Sequence, residues 1–305
     1  MRVPSVVAVL LVSTIARADL GVTYQAGDIA GLRRAGADGQ ELVGALRSTD
    51  RATVQGAIVA AEAAPDAWAL LEPLAVLAGD WDRATAGPAA RAAARISRAL
   101  DGDAAILDDV SDERLAAIGD DWQALAERAD RWSDVRVHAL EVATRVNRAR
   151  AATADDVVGD TSALVVASAD ADPQLRRAAL ELVPVPAPVE VRAALVTRIS
   201  VDTDPGVKLA AAQALCAAVP EDAAAVLSAL GEPGLEALRA AVATPPDDGR
   251  SGGALLDAAR CLAADRDPRS VRALVVLRQV APRPVRAAVA RVAADVRARL
   301  ADASP

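Results

Sequence analysis

The side chains equipped for chemistry are few, and they are poorly placed for it. Gly249-Arg250-Ser251-Gly252-Gly253 spells Gly-x-Ser-x-Gly, the turn that presents a nucleophilic serine in many hydrolases. That turn works where a strand runs sharply into a helix, with a histidine and a carboxylate in reach of the serine. Here Pro245 and Pro246 lead into the motif, no strand pattern precedes it, and the single histidine, His138, lies upstream of the serine rather than downstream. His138 falls on a polar helix face beside Glu141 and reads as a surface residue. One histidine and two distant cysteines build no zinc site of familiar spacing. Asp101-Gly-Asp103-Ala-Ala-Ile-Leu-Asp108-Asp109 is acidic but lacks the third ligand, central glycine and closing glutamate of a calcium loop, so it reads as a solvated turn. No catalytic residue, cofactor or metal ligand is assigned. The chain reads as non-enzymatic, with a hydrolase built on the loop at 244–253 as the lesser alternative.

The two cysteines, Cys216 and Cys261, both lie in apolar helical stretches. Packing as separate small hydrophobes is the favoured reading, with a disulfide between them as the alternative. The compartment permits a disulfide, because residues 1–18 read as a secretory signal. Arg2 is followed by the apolar run Val6–Ile15, and Ala16-Arg17-Ala18 matches a small-x-small cleavage site, leaving Asp19 as the first mature residue. The run is shorter than the roughly 20 residues a membrane-spanning helix needs. The expected location is therefore exported, periplasmic or extracellular, and not membrane-spanning after cleavage.

The elements around these residues follow from composition. Hydrophobic residues make up 53% of the 305, aromatics only 2%, and phenylalanine is absent. Sheets draw on aromatic and β-branched layers, whereas the abundant alanine has the highest helix propensity, so the expectation is all-α. The net charge of −8 supplies no basic footprint for phosphates, which argues against nucleic acid. Charge is uneven: residues 101–121 are strongly acidic, and residues 283–305 carry five arginines.

One phrase recurs: Asp170-Ala-Asp172-Pro173, Asp202-Thr-Asp204-Pro205 and Asp265-Arg-Asp267-Pro268. Asp172, Asp204 and Asp267 are expected N-caps, since a carboxylate accepts the orphan N–H groups of a first helical turn. The proline that follows loses no bond at the first helical position. Pro205 lies 32 residues after Pro173, and Pro268 lies 63 after Pro205, close to two such units. Further starts are read at Asp50, Gly87-Pro88, Ser133-Asp134 and Glu232-Pro233. A second apolar-periodic stretch lies between successive starts, for example Val189–Ser200, Ala223–Leu230 and Ala254–Ala263. A helix, a turn and a helix recurring every 30 to 47 residues is an α-solenoid pattern.

In Asp172-Pro-Gln-Leu-Arg-Arg-Ala-Ala, Asp204-Pro-Gly-Val-Lys-Leu-Ala-Ala and Asp134-Val-Arg-Val-His-Ala-Leu the chain resembles the HEAT-repeat family, whose second helices open with an acidic turn and then Val-Arg or Val-Lys. The resemblance is clear over 133–300 and looser over 28–130. It implies a right-handed α-solenoid of stacked antiparallel helix pairs. Residues 19–150 read as an irregular N-terminal half and 151–305 as a regular one, with a loop at 244–253. The resemblance also implies a protein-binding scaffold that holds an unidentified partner along the groove of its second helices. Candidate contacts are Arg176, Lys208 and Arg272 at the helix openings and Trp81, Trp122 and Trp132 at charged turns; Trp68 is assigned to the core. The alternative is an envelope component that self-associates through its acidic and basic ends.

Overall fold

The computed structural model describes residues 20–34, 39–64, 67–99, 110–153, 161–184, 189–218, 252–265 and 267–302, with 232, 235, 236 and 238–243. The signal segment, the acidic stretch 101–109, the second-helix candidate 223–230 and Gly249–Ser251 lie outside them. The described residues are helical, with one short 3₁₀ turn and no strand. The chain divides into two compact units, Met1–Asp160 and Thr161–Pro305.

In the first unit, α1 (Ile29–Arg34) leads into three antiparallel pairs: α2 (Gly39–Leu46) with α3 (Arg51–Ala61), α4 (Leu71–Ala78) with α5 (Arg83–Ala99), and α6 (Asp112–Glu127) with α7 (Ser133–Thr153). The 3₁₀ turn Ala67–Leu70 precedes α4. The first helices stack α2 on α4 on α6, and the second helices stack α3 on α5 on α7. This layering defines an α-solenoid, because each pair buries its apolar faces only against its neighbours.

Local chemistry explains each second helix. Ser48 Oγ accepts from Asp50 N at 3.1 Å, and the Asp50 carboxylate caps Thr53 N at 3.0 Å. Asp80 and Asp82 repeat this arrangement, with Asp82 N on Asp80 Oδ1 at 2.9 Å and Ala84 N on Asp82 Oδ1 at 3.1 Å. Helix α5 therefore starts at Arg83, and Pro88 lies inside it rather than at its start as expected. A proline there removes the N–H that would bond the Ala84 carbonyl. Gln55, buried on α3, donates its Nε2–H to that carbonyl at 2.9 Å, so a neighbouring repeat supplies the missing donor.

Alanine sets how closely the layers approach. Ala89, Ala90, Ala92, Ala93 and Ala94 of α5 are all buried between α3, α4 and α7. Each methyl contributes only about 0.8 kcal/mol, but its small size lets helices pack at short range. At Gly56 a Cβ would lie 2.4 Å from the Leu20 carbonyl oxygen, so glycine is required for the 20–25 turns to lie against α3.

In the second unit, α8 (Ser162–Ala167) pairs with α9 (Pro173–Glu181) and α10 (Val189–Val201) with α11 (Pro205–Ala218). Helices α12 (Gly252–Leu262), α13 (Pro268–Val280) and α14 (Arg283–Asp302) follow, and the described residues at 238–243 are helical as well. Three aspartates cap as expected: Asp172 on Gln174 N at 2.9 Å, Asp204 on Val207 N at 3.0 Å and Asp267 on Arg269 N at 2.7 Å. One layer runs α9, α11, α12, α14; α13 packs on α12 and α14, and its Ser270 meets Arg239 at 2.8 Å. The third Asp-Pro phrase thus opens a helix of the other layer. Arg272 shares no face with Arg176 and Lys208, contrary to expectation. Val289 and Val296 of α14, seven residues apart and so on one helix face, are both buried. Gly252 and Gly253 belong to α12 and not to a loop, since once past Ser251 the chain carries the apolar spacing Leu255, Ala258, Ala259, Leu262 of a buried face.

Candidate binding surface

A polar strip that the first unit turns to solvent lies on its second helices. From Ala89 to Ala99 of α5 the exposed positions are Arg91, Arg95, Arg98 and Ala99. Spacings of four and three place the three arginines on one face. Arg95 reaches Glu62 at 2.6 Å, and Arg33 reaches the same Glu62 oxygen at 3.2 Å. One pair further on, Glu141 of α7 receives Arg98 at 3.4 Å, Arg145 at 3.6 Å and His138 Nδ1 at 3.6 Å. Burial would push the Glu141 carboxyl up, but His138, Arg145 and Arg98 together hold it below the usual glutamate range. His138 therefore packs into the cluster around Glu141, with its side chain 23% exposed, and is not a free surface residue. Glu141 and Arg145 are an i,i+4 pair on α7.

The turns between first and second helices form a second feature. Trp81 is 70% exposed, with the Arg131 guanidinium 4.0 Å from its ring centre and that of Arg128 at 5.9 Å. Arg131 is buried, donates to the Asp80 carbonyl at 3.1 Å, and leaves Nε without a hydrogen-bond partner. Arg51 to Asp82 at 2.8 Å and Arg83 to Asp134 at 3.7 Å link successive turns in the same way. Among the candidate tryptophans Trp81 alone is strongly exposed. Trp122 is fully buried, and its indole N–H donates to the Leu71 carbonyl at 3.1 Å, so it is a core anchor between α6 and α4. Trp132 is half-buried.

Trp68, assigned to the core from sequence, instead lines a hollow of about 420 Å³ on the first-helix side, with Val43, Arg47, Glu72 and Arg114. Arg114 lies 5.3 Å from its ring centre and 3.5 Å from Glu72. The tightening of the 3₁₀ turn Ala67–Leu70 carries Leu70 inward and leaves Trp68 at the rim.

In the second unit the candidate Arg176 is occupied. It forms a two-pronged pair with Asp202 at 2.8 and 2.9 Å, and also donates to the carbonyls of Asp170 and Ala171. Asp202 is almost wholly covered, and its other role is to accept from Asp204 N at 2.9 Å. Burial pushes its carboxyl up, yet Arg176 and the Asp204 N–H bring it below the ordinary aspartate value. Arg239 repeats the device with Asp265 at 2.7 Å across the same sequence separation of 26, while Ser270 donates to that carboxylate. These lock one repeat to the next, and sequence reading missed Asp202, Arg239 and Asp265 as partners. The recurring first aspartate of the phrase was their signal. Lys208 is half-buried and Arg272 exposed. Cys216 and Cys261 form a disulfide with Cα atoms 5.7 Å apart, tying α11 to α12. The alternative reading of the cysteines thus holds, because the layer places these two helices side by side.

Among the described residues no three potential ligands cluster as a metal site, and no helix is long and apolar enough to cross a membrane. His138 belongs to the first unit and Gly252, at the start of α12, to the second.

No family model matches the chain, and no curated protein matches it. Solved structures do. A crystal structure of an engineered protein from the Northeast Structural Genomics Consortium is 22% identical, covers 95% of this chain and 74% of that one, and superposes with a TM-score of 0.52. A second engineered protein from that consortium is 21% identical over 75% of this chain and 96% of its own, with a TM-score of 0.44. A designed armadillo repeat protein in complex with the peptide (KR)4 is 17% identical over 84% and 98%, at 0.34. At 22% identity the first likeness concerns the fold alone.

Proposed function

We propose that the protein is a non-catalytic, HEAT-like binding scaffold of the exported space, holding a partner polypeptide along its second-helix layer. The observation that carries this reading is the α3–α5–α7 face. Stacked helices there bury most of their apolar side chains, and α5 turns a row of partly paired arginines to solvent beside the half-buried charged groups of α7. Scaffolds bind through such extended faces. The disulfide between Cys216 and Cys261 supports export, because such bonds persist in oxidising compartments.

Crosslinking of the tagged, natively expressed protein in intact cells, followed by mass spectrometry, tests the scaffold reading. A reproducible partner with crosslinks on α3, α5 or α7 is expected; crosslinks confined to other faces would defeat it. N-terminal sequencing of the exported form should begin at Asp19. Replacing Ser251 by alanine should leave partner capture unchanged and abolish no esterase or peptidase activity of the purified protein.

A further inference from the structure

In the first unit the two helix layers differ in charge. Helices α2, α4 and α6 carry acidic side chains with Arg114 as their sole cation. Helix α5 carries four arginines, Arg83, Arg91, Arg95 and Arg98, and no acidic residue. Helix α7 carries Arg136, Arg145, Arg148 and Arg150 against Asp134 and Glu141. A chain of net charge −8 thus concentrates cations on one layer. Every charged solvent-facing position of the central helix is an arginine: Arg83 at its start, then Arg91, Arg95 and Arg98.

Resting on the scaffold reading, we propose that the arginine face of α5, flanked by Arg33, takes an acidic segment of the partner protein. The two carboxylates within this face do not cancel it. Glu62 and Glu141 are 16% and 18% exposed and lie beneath the arginines they bind. Arg91 has no ion pair among the described residues, and Arg95 and Arg98 keep 46% and 56% of their side chains in solvent. An approaching chain therefore meets guanidinium groups first, each with donors left for a carboxylate. Spacing agrees. Arg91 and Arg95 are separated by a helical rise of about 6 Å, and alternate side chains of an extended peptide repeat at about 6.6 Å. A strip one helix wide, with carboxylates set into it on a net-acidic molecule, suits a short acidic peptide better than the long phosphate track of a nucleic acid.

The full-length protein is titrated into fluorescein-labelled poly-glutamate, into poly-lysine of equal length, and into a single-stranded oligonucleotide, with fluorescence polarisation as readout. Poly-glutamate should bind tightest, and its affinity should fall with added salt. The variant with Arg91→Gln, Arg95→Gln and Arg98→Gln should bind it about tenfold more weakly. Circular dichroism should show that this variant keeps its helix content. If the triple change unfolds the chain, Arg91→Gln alone disturbs no ion pair among the described residues and should weaken binding about twofold to threefold. Equal binding by the folded variant and the native protein, or tighter binding of poly-lysine or the oligonucleotide, would overturn the proposal. Crosslinks from α5 to a non-acidic segment of a captured partner would sink this inference while leaving the scaffold reading standing.

Discussion

Removing either member of the Arg176–Asp202 pair should cost far more than losing a surface ion pair. Asp202 is 1% and Arg176 12% exposed at the side chain, and two hydrogen bonds of 2.8 and 2.9 Å join them. Breaking such a pair from one side leaves a covered charge without its partner, which costs about 3–5 kcal/mol when burial is complete. Arg176 keeps some contact with water, so the lower end applies, about 3 kcal/mol for Asp202→Leu. Asp202→Asn should cost about 1 kcal/mol less, because its Oδ1 still accepts from Asp204 N. Replacing both partners, Arg176→Met with Asp202→Leu, should recover at least about 1.5 kcal/mol of the summed single costs. Urea unfolding of the full chain measures this by far-UV circular dichroism. All four tryptophans lie between Trp68 and Trp132 in the first unit, so the phase that tryptophan emission does not follow belongs to the second. If the two single costs simply add, within about 0.5 kcal/mol, the pair is not a lock and the reasoning fails.

Other perturbations have equally definite outcomes. Reduction of the Cys216–Cys261 bond, which spans 45 residues, should lower stability by at most about 4 kcal/mol on chain-entropy grounds, seen as a lower melting temperature with a thiol-specific reagent counting two new thiols. Gln55→Ala should cost about 1–3 kcal/mol by leaving the Ala84 carbonyl unsatisfied, and Pro88→Ala in that background should restore part of it in thermal melts. Asp202, Asp265 and Asp267 all have lowered carboxyl pKa values, that of Asp267 at about 2 with its bonds from Arg269 as main cause. Their stabilisation is therefore complete above about pH 4 and drains away as the pH falls toward 2, so melting temperatures should decline across that window; a flat profile would contradict it.

Much of this fold was legible from residue order alone. Helix starts at Asp172, Asp204 and Asp267 are decided within three residues, because a cap is a bond between a side chain and the N–H groups just after it. Alanine content and periodicity likewise specify helices without regard to what surrounds them. Pro88 shows where such local rules stop. The proline reads as a helix start, yet it is tolerated inside α5 because Gln55, on another repeat, satisfies the freed carbonyl.

The candidate surface was legible only in part, for the same reason. Trp81 and Trp122 both sit beside charged residues in sequence, but one stands in solvent under two guanidinium groups and the other fills the core. Arg176 and Arg91 are both arginines of second helices; the turn of the next repeat covers the first, while the second is exposed. Which helix stacks on which, which aspartate meets an arginine 26 residues away, and whether two cysteines face each other depend on the registration of repeats in space. That registration is an outcome of packing between layers. The sequence by itself determined the helices and their caps, while only the stacking decided which charges are buried locks and which remain open to a partner.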